Sequence, residues 1–309
     1  MTALGTDEHP AVQAWRELGA RPPRSVAVEL RKKHKKSRVY RLRGAGPRGA
    51  TVVAKYCLSE TAAVERLIYE EILPQLRMSA LRCYGSVTRT DGGCWLFLED
   101  AGEGRVSFED PAHRRLVARW VARLHVEAAE LPELDRLPDR GAAHYFALLR
   151  AGRREISASL RNRALTAEHL LALRRLASLY ERLAAHWASV SAFSSALTPT
   201  LVHGDIRRTN VRRRGQRVLA LDWEMAGRGI PAVDVVKVDV ETYVDEARAD
   251  RDTAVRLQAL GGILRNLDAV DWISPQLSQP WGHIDLMQAY ADGLGGAMNV
   301  FFAEDGTLD

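Results

Sequence analysis

His203-Gly204-Asp205 is followed by Asn210, five residues beyond the aspartate, and by Asp222, twelve further on. A carboxylate such as Asp205 accepts a hydrogen bond from a substrate hydroxyl and can take its proton late in a reaction. Asn210 and Asp222 supply oxygen donors, which suit a hard cation such as Mg²⁺. Together these groups are equipment for moving a phosphoryl group. That chemistry asks for positioning, neutralised charge and an oriented nucleophile more than for covalent help. His-Gly-Asp alone also fits a turn with a capping aspartate, and the agreement of the parts favours the catalytic reading.

Such residues need elements to hold them. Val211 and the run Val218-Leu219-Ala220-Leu221 read as a hairpin turning near Gly215, which brings residues 210 and 222 to one end. Upstream, Asp7 to Gly19 reads as a short helix with Val12, Trp15 and Leu18 along one face. Ser25–Leu30, Arg38–Leu42 and Thr51–Cys57 read as strands, the last two joined by a turn over Gly44–Gly49. Glu60 to Leu73 is helical in pattern, with Val64, Leu67, Ile68 and Ile72 at helical spacing and Pro74 placed to bend or end it. Ser86–Thr88 and Cys94–Leu98 read as two more strands about Asp91-Gly92-Gly93. From Asp110 to about Ala196 the pattern is helical, and helices resume after residue 222. The plan is an α+β chain: a β-rich lobe over 1–98, a hinge at 99–102, and a mainly helical lobe over 103–309.

Of the 309 residues, 46% are hydrophobic, enough for a sizeable core. No apolar run approaches the roughly 18 residues that span a bilayer. The first residues have neither a basic start nor an apolar segment, so no secretory signal is expected. Cys57, Cys83 and Cys94 are odd in number and lack metal-like spacing, which points to buried small hydrophobes in a reducing cytoplasm. The net charge of +5 is unevenly spread: residues from 221 onward carry 16 acidic and 6 basic side chains, and the rest of the chain is strongly basic. Phosphates would suit the front and a cationic substrate the tail, with ordinary solvated surface as the alternative.

The pattern over His203–Asn210 and Leu221–Asp234 resembles the aminoglycoside phosphotransferase family, which shares the protein-kinase-like fold with choline kinases and related small-molecule kinases. The resemblance runs from about Ser25 to Asp239. It implies a two-lobed fold, with a small antiparallel sheet lobe and a larger helical lobe, and ATP and Mg²⁺ as cofactors. It implies Asp205 as catalytic aspartate, with Asn210 and Asp222 as metal ligands. Asp234 would be structural, a helix N-cap anchoring the helix after the metal loop, and His203 would hydrogen-bond backbone near that loop. Lys55, closing Val-Val-Ala-Lys, would bind the α- and β-phosphates. Glu65 would pair with Lys55, with Glu71 as the other candidate. Backbone groups at Glu99 and nearby would meet the adenine edge.

Departures from the kinase pattern are informative. The turn Arg31–Ser37 that would cover the phosphates has no glycine; Ser37 is left to donate to a phosphate and the lysines to attract it. No aromatic residue interleaves that basic run, so a stacking nucleic-acid site is disfavoured. Gly204 stands where protein kinases have arginine, Asp-Trp-Glu replaces Asp-Phe-Gly, and no Ala-Pro-Glu follows. These features point to a constitutively active small-molecule kinase. The acidic stretch 234–252 would wall a cleft for a cationic acceptor such as an aminoglycoside, or else form an exposed acidic helix. Trp272, Trp281 and Tyr290 would be core or cleft wall. Alternatives are a metabolic kinase of a sugar or amino alcohol, and a pseudokinase-type binding module.

Overall fold

The computed structural model describes residues 8–31, 37–274 and 285–303. The lysines of the basic turn and Trp281 lie outside them. In chain order the first elements are α1 (Pro10–Glu17), β1 (Ser25–Arg31), β2 (Ser37–Arg43), β3 (Val52–Leu58), α2 (Ser59–Arg66), β4 (Cys83–Thr88) and β5 (Gly93–Glu99). Next come α3 (Pro111–Ala128), β6 (Asp139–Arg140), α4 (Ala142–Ser159), α5 (Ala167–Ala185), α6 (Trp187–Ser195), β7 (Thr200–Val202), β8 (Val211–Arg214) and β9 (Arg217–Ala220). The chain finishes with β10 (Gly227–Gly229), α7 (Ala232–Val235), α8 (Val240–Ala247), α9 (Arg251–Ile273) and α10 (Asp285–Phe302). None of the described helices is long and apolar enough to cross a membrane.

These elements fall into two compact units. The first gathers residues 1–107 with 131–137 and 206–226, and the second holds the remainder. The first unit is therefore discontinuous: the β8–β9 hairpin belongs with the sheet that precedes it by more than a hundred residues.

In the first unit five antiparallel strands take the order β1-β2-β3-β5-β4. β5 is buried along Gly93–Leu98, which explains its unbroken apolar run. The pleat sorts β3 and β5 onto two faces. Ala54 opposite Phe97 and Tyr56 opposite Trp95 share one face; Lys55 opposite Leu96 and Cys57 opposite Cys94 share the other. The first face is covered by α1, whose Val12 and Trp15 pack with Leu42, Val52, Ala54, Trp95 and Phe97. Pro10 opens α1, and the indole of Trp15 donates to Arg21 C=O at 2.7 Å.

The helix expected over 60–73 changes its winding. Past Arg66 the α-helix widens into a π turn over Leu67–Ile72, then tightens to a 3₁₀ turn over Leu73–Gln75. Pro74 supplies the reason: it has no N–H, and its ring crowds the carbonyl four residues back, so regular α winding fails ahead of it. The face that carries Ala62 and Glu65 stays buried.

The second unit is a helical body with a small three-stranded sheet, β6-β10-β7, that the sequence pattern does not announce. Strands of two and three residues are too short to alternate visibly. Gly227 and Gly229 permit the close approach: a Cβ on either would lie 2.3 Å from Pro138 C=O or 2.4 Å from Arg140 C=O. Helix starts are capped locally: Asp110 bonds Ala112 N–H, Thr166 bonds His169 N–H, Asp239 bonds Thr242 N–H, and Asp250 bonds Thr253 N–H. α9 forms the centre of the unit, packing on α4, α7 and α10.

Candidate active site

Lys55 sits on the sheet face turned from α1, and its side chain is nine-tenths buried. Nζ lies 2.7 Å from Glu65 Oε2 and 2.7 Å from Asp222 Oδ1. Burial by itself lowers a lysine's pKa, but the two carboxylates outweigh it and hold Lys55 charged. Burial pushes the Glu65 carboxyl up while Lys55 pulls the other way. Glu65 Oε1 also accepts the Trp223 N–H at 3.0 Å, so one helical glutamate fixes both the lysine and the backbone after Asp222. Glu71 instead pairs with Arg136 on the surface.

The hairpin closes as its pattern implies. Val211 faces Ala220 and Arg214 faces Arg217. Leu221 N–H donates to Asn210 C=O at 2.8 Å, which places Asn210 and Asp222 at the same end. Asn210 is buried. Asp222 adopts φ 63°, the left-handed region that aspartate tolerates better than most residues. Tyr69, in the π turn, donates its hydroxyl to Ala220 C=O at 3.4 Å and meets the Trp223 ring edge-on. The amide oxygen of Asn210 and the carboxylate of Asp222 are hard donors of the type that Mg²⁺ takes. Among the described residues no group of three His, Cys, Asp or Glu side chains forms a metal cage by itself.

Ser37 is buried at the start of β2, opposite Cys57, so it shares the Lys55 face two pairs along the ladder. Glu99 ends β5. Its N–H donates to Arg82 C=O at 2.8 Å, and its carboxylate binds Arg214 at 2.5 Å and the Arg82 N–H. Burial raises that carboxyl, and Arg214 with the Arg82 amide more than reverses the shift. Arg41 grips Asp100 at 3.0 Å, and Asp100 Oδ1 accepts the Gly102 N–H. Glu99 and Asp100 are thus pinned by Arg214 and Arg41. Strand alternation puts Arg41, opposite Val53, on the Lys55 face but offers no clue to its partner.

In the second unit the loop 203–205 is held from behind. Asp234 accepts the His203 N–H at 2.6 Å and the Gly204 N–H at 2.9 Å. Gly204 takes φ 79°, a turn that a side chain would strain. Asp234 is structural, as the resemblance implies, but it is no N-cap: it lies inside α7, whose N-cap position is Pro231. Burial raises its carboxyl, and the bonds from His125, His203 and the backbone outweigh that and hold it low. His203 is fully buried, and its Nδ1 accepts the Asp205 N–H at 3.2 Å, a bond within its own loop. Asp205 Oδ1 lies 3.7 Å from Arg265, on α9. One peptide bond beyond Asp205 the chain enters the first unit.

The acidic stretch does not stand as an open wall. Asp234 is buried, Asp239 and Asp250 cap helices, Glu241 pairs with Arg251, and Glu246 pairs with Arg123. A second acidic group, legible only in three dimensions, lies on α9: Asp268 and Asp271, three residues apart, beside Arg140, Tyr145 and Tyr180. Burial lifts Asp268 to about 6. Trp272 is exposed rather than core. Tyr290 is half-buried, and its C=O accepts from Asn266.

A model of the phosphotransferase enzyme family matches residues 29–273, and the chain belongs to that family. Its fold is the protein-kinase-like α+β fold of the aminoglycoside phosphotransferases. The GDP complex of wild-type aminoglycoside 2'-phosphotransferase-IIIa is similar with a TM-score of 0.61 and 15% identity, over 89% of this chain and 92% of that one. Choline kinase from Cryptosporidium parvum is similar at 0.57 and 10% identity, over 92% and 91%. Spectinomycin phosphotransferase is similar at 0.53 and 9%, over 96% and 99%. No curated protein matches the chain. At these identities the likeness to solved structures is one of fold.

Proposed function

We propose that this protein is an ATP-dependent, Mg²⁺-assisted kinase that moves the γ-phosphoryl group to a hydroxyl of a small molecule. The observation that carries this reading is the buried Lys55, bonded at 2.7 Å to both Glu65 and Asp222. A charged lysine fixed by a helical glutamate, next to an aspartate on a hairpin end, suits a nucleotide's phosphates. Lys55 binds the α- and β-phosphates, Glu65 orients Lys55, and Ser37 donates to a phosphate. Backbone at Glu99 and the hinge meets the adenine edge, through groups other than the Glu99 N–H. Asn210 and Asp222 hold Mg²⁺, which neutralises charge developing on the phosphate oxygens. Asp205 accepts a hydrogen bond from the acceptor hydroxyl. The hydroxyl oxygen bonds to the γ-phosphorus, the bond to the β-phosphate oxygen breaks, ADP leaves, and the proton passes late to Asp205.

Nucleotides appear in the similar structures: GDP in the 2'-phosphotransferase complex, ADP with spectinomycin in the spectinomycin enzyme. For the acceptor, a cationic antibiotic such as an aminoglycoside has support in Asp268 and Asp271, on the helix whose Arg265 meets Asp205. A sugar or amino alcohol is the second reading, favoured by the capped and paired carboxylates of 234–252. We assign the protein to the cytoplasm, where its three free thiols persist.

ATP consumption with Mg²⁺ across a panel of aminoglycosides, sugars and amino alcohols tests this, with Asp205→Asn as control. Turnover that Asp205→Asn abolishes, with ATP binding retained, is the expected result. Wild-type inactivity across the whole panel would instead establish a binding module.

A further inference from the structure

Arg265 carries none of the roles above, yet it stands against Asp205. Its Nη2 lies 3.7 Å from Asp205 Oδ1, and the two side chains are each about four-fifths buried. Both residues belong to the second unit. Arg265 also acts on Asp268, three residues along the same helix, pulling its carboxyl down against burial. Helix α9 presents this guanidinium from a fixed platform. Gln258 donates to Val235 C=O at 2.8 Å and to Val238 C=O at 3.2 Å, Gly261 abuts Ala232, and Asn266 donates to Tyr290 C=O at 2.8 Å. The helix is therefore clamped to α7 before Arg265 and to α10 just after it. A side chain on so rigid an element meets its target in one set position.

Charge gives the pair a purpose. An acceptor hydroxyl bonded to Asp205 lies about 2.7 Å from it, and a phosphorus poised for attack about 3–3.5 Å from that oxygen. The γ-phosphoryl group therefore comes within roughly 6 Å of a carboxylate of its own sign. As the acceptor oxygen bonds to phosphorus and the β-phosphate oxygen departs, negative charge spreads over the equatorial oxygens. A cation on the Asp205 side offsets that repulsion. A guanidinium suits the place better than an ammonium: it stays charged, and its planar fork of N–H donors serves two oxygen groups at once.

We propose that Arg265 is a further catalytic residue: its guanidinium faces Asp205 with one edge and binds equatorial oxygens of the transferring γ-phosphoryl group with another. This rests on the reading of Asp205 as the group that orients the acceptor hydroxyl. An arginine that served only as an ionic partner of Asp205 and Asp268 would change melting temperature, or would act through Asp205 alone.

In full-length protein, Arg265→Gln should lower kcat roughly a hundredfold at unchanged KM for ATP, and Arg265→Lys should recover part of the loss. Arg265→Met, which keeps an apolar stem, stands in if the glutamine variant does not fold. Binding of Mg²⁺·ADP with aluminium fluoride, a mimic of the phosphoryl group in transfer, supplies a readout that needs no turnover. Affinity for that complex should fall about tenfold or more in Arg265→Gln, with affinity for Mg²⁺·ADP alone unchanged. The same fall should persist when Arg265→Gln is added to Asp205→Asn, because a residue that touches the phosphoryl oxygens does not act through Asp205. If folded Arg265→Gln keeps wild-type kcat, or if its effect on the aluminium fluoride complex vanishes in the Asp205→Asn background, the proposal fails. Full activity in Asp205→Asn would overturn the catalytic reading of Asp205 instead, and would leave the aluminium fluoride result to decide whether Arg265 meets the phosphoryl group.

Discussion

Lys55 Nζ and Asp222 Oδ1 lie 2.7 Å apart although 167 residues separate them. Their contact joins the third strand of the sheet to the end of the β8–β9 hairpin. Glu65 completes the triangle, because it binds the lysine and the amide that follows the aspartate. The arrangement places one buried positive charge between two carboxylates, and each partner depends on the others.

That dependence is measurable. Lys55→Met leaves Glu65 buried without its counter-charge and should cost about 3–5 kcal/mol of unfolding free energy. Adding Glu65→Gln should restore much of the stability while ATP binding stays lost. Urea denaturation of the two singles and the double reads the coupling directly; additive losses would show that the pair is not energetically linked.

Asp268 predicts a pH dependence. Its pKa is raised from 3.8 to about 6 by burial, so between those values the folded protein holds a proton that the unfolded chain has released. Stability therefore falls as pH rises from about 4 through about 6 and levels off above. Asp268→Asn should remove this slope and add up to about 3 kcal/mol at neutral pH. Thermal melts across that range in wild type and variant check the sign; a wild-type stability that rises through the window would refute it.

Tyr180 is buried on α5, and its hydroxyl has no hydrogen-bond partner among the described residues. Tyr180→Phe should be neutral or stabilising by about 1 kcal/mol, since it removes a desolvated, unpaired polar group. A drop in melting temperature would reveal an ordered water or other partner at the hydroxyl.

Gly261 lets α9 press against α7. A Cβ there would lie 2.0 Å from the Ala232 carbonyl oxygen, on the helix that carries Asp234. Gly261→Ala should cost roughly 1–3 kcal/mol by forcing the helices apart. It should also speed amide exchange at His203 and Gly204, whose acceptor is displaced. Unchanged exchange in a folded variant would mean α7 is held without this contact.

Much of this molecule was legible in one dimension. Alternation over Ser25–Leu30 and Arg38–Leu42 and the β-branched run Thr51–Cys57 located three strands of the sheet, and Asp91-Gly92-Gly93 the turn before a further one. Gly215 between two β-rich segments located the hairpin, and with it the shared end for Asn210 and Asp222. These features are local: a strand's alternation and a turn's glycine are written in neighbouring residues. The π turn after Arg66 was only half legible, since Pro74 announced an interruption but not the form it would take.

By itself, then, the sequence determined the element plan and the hairpin and singled out the residues proposed for phosphoryl transfer, because each depends on spacing within a few residues. Only the tertiary structure decided which partners those residues have. It chose Glu65 over Glu71 for Lys55, tied Asp239, Glu241, Glu246 and Asp250 of the acidic stretch into caps and ion pairs, moved Asp234 from an N-cap to the anchor of the 203–205 loop, and set His125 and Tyr243 against it. Those outcomes turn on which side chains meet after packing, at separations of 31 residues for Asp234 with His203 and 118 for His125 with Tyr243. No periodicity reports such meetings; burial and distance in the folded core create them.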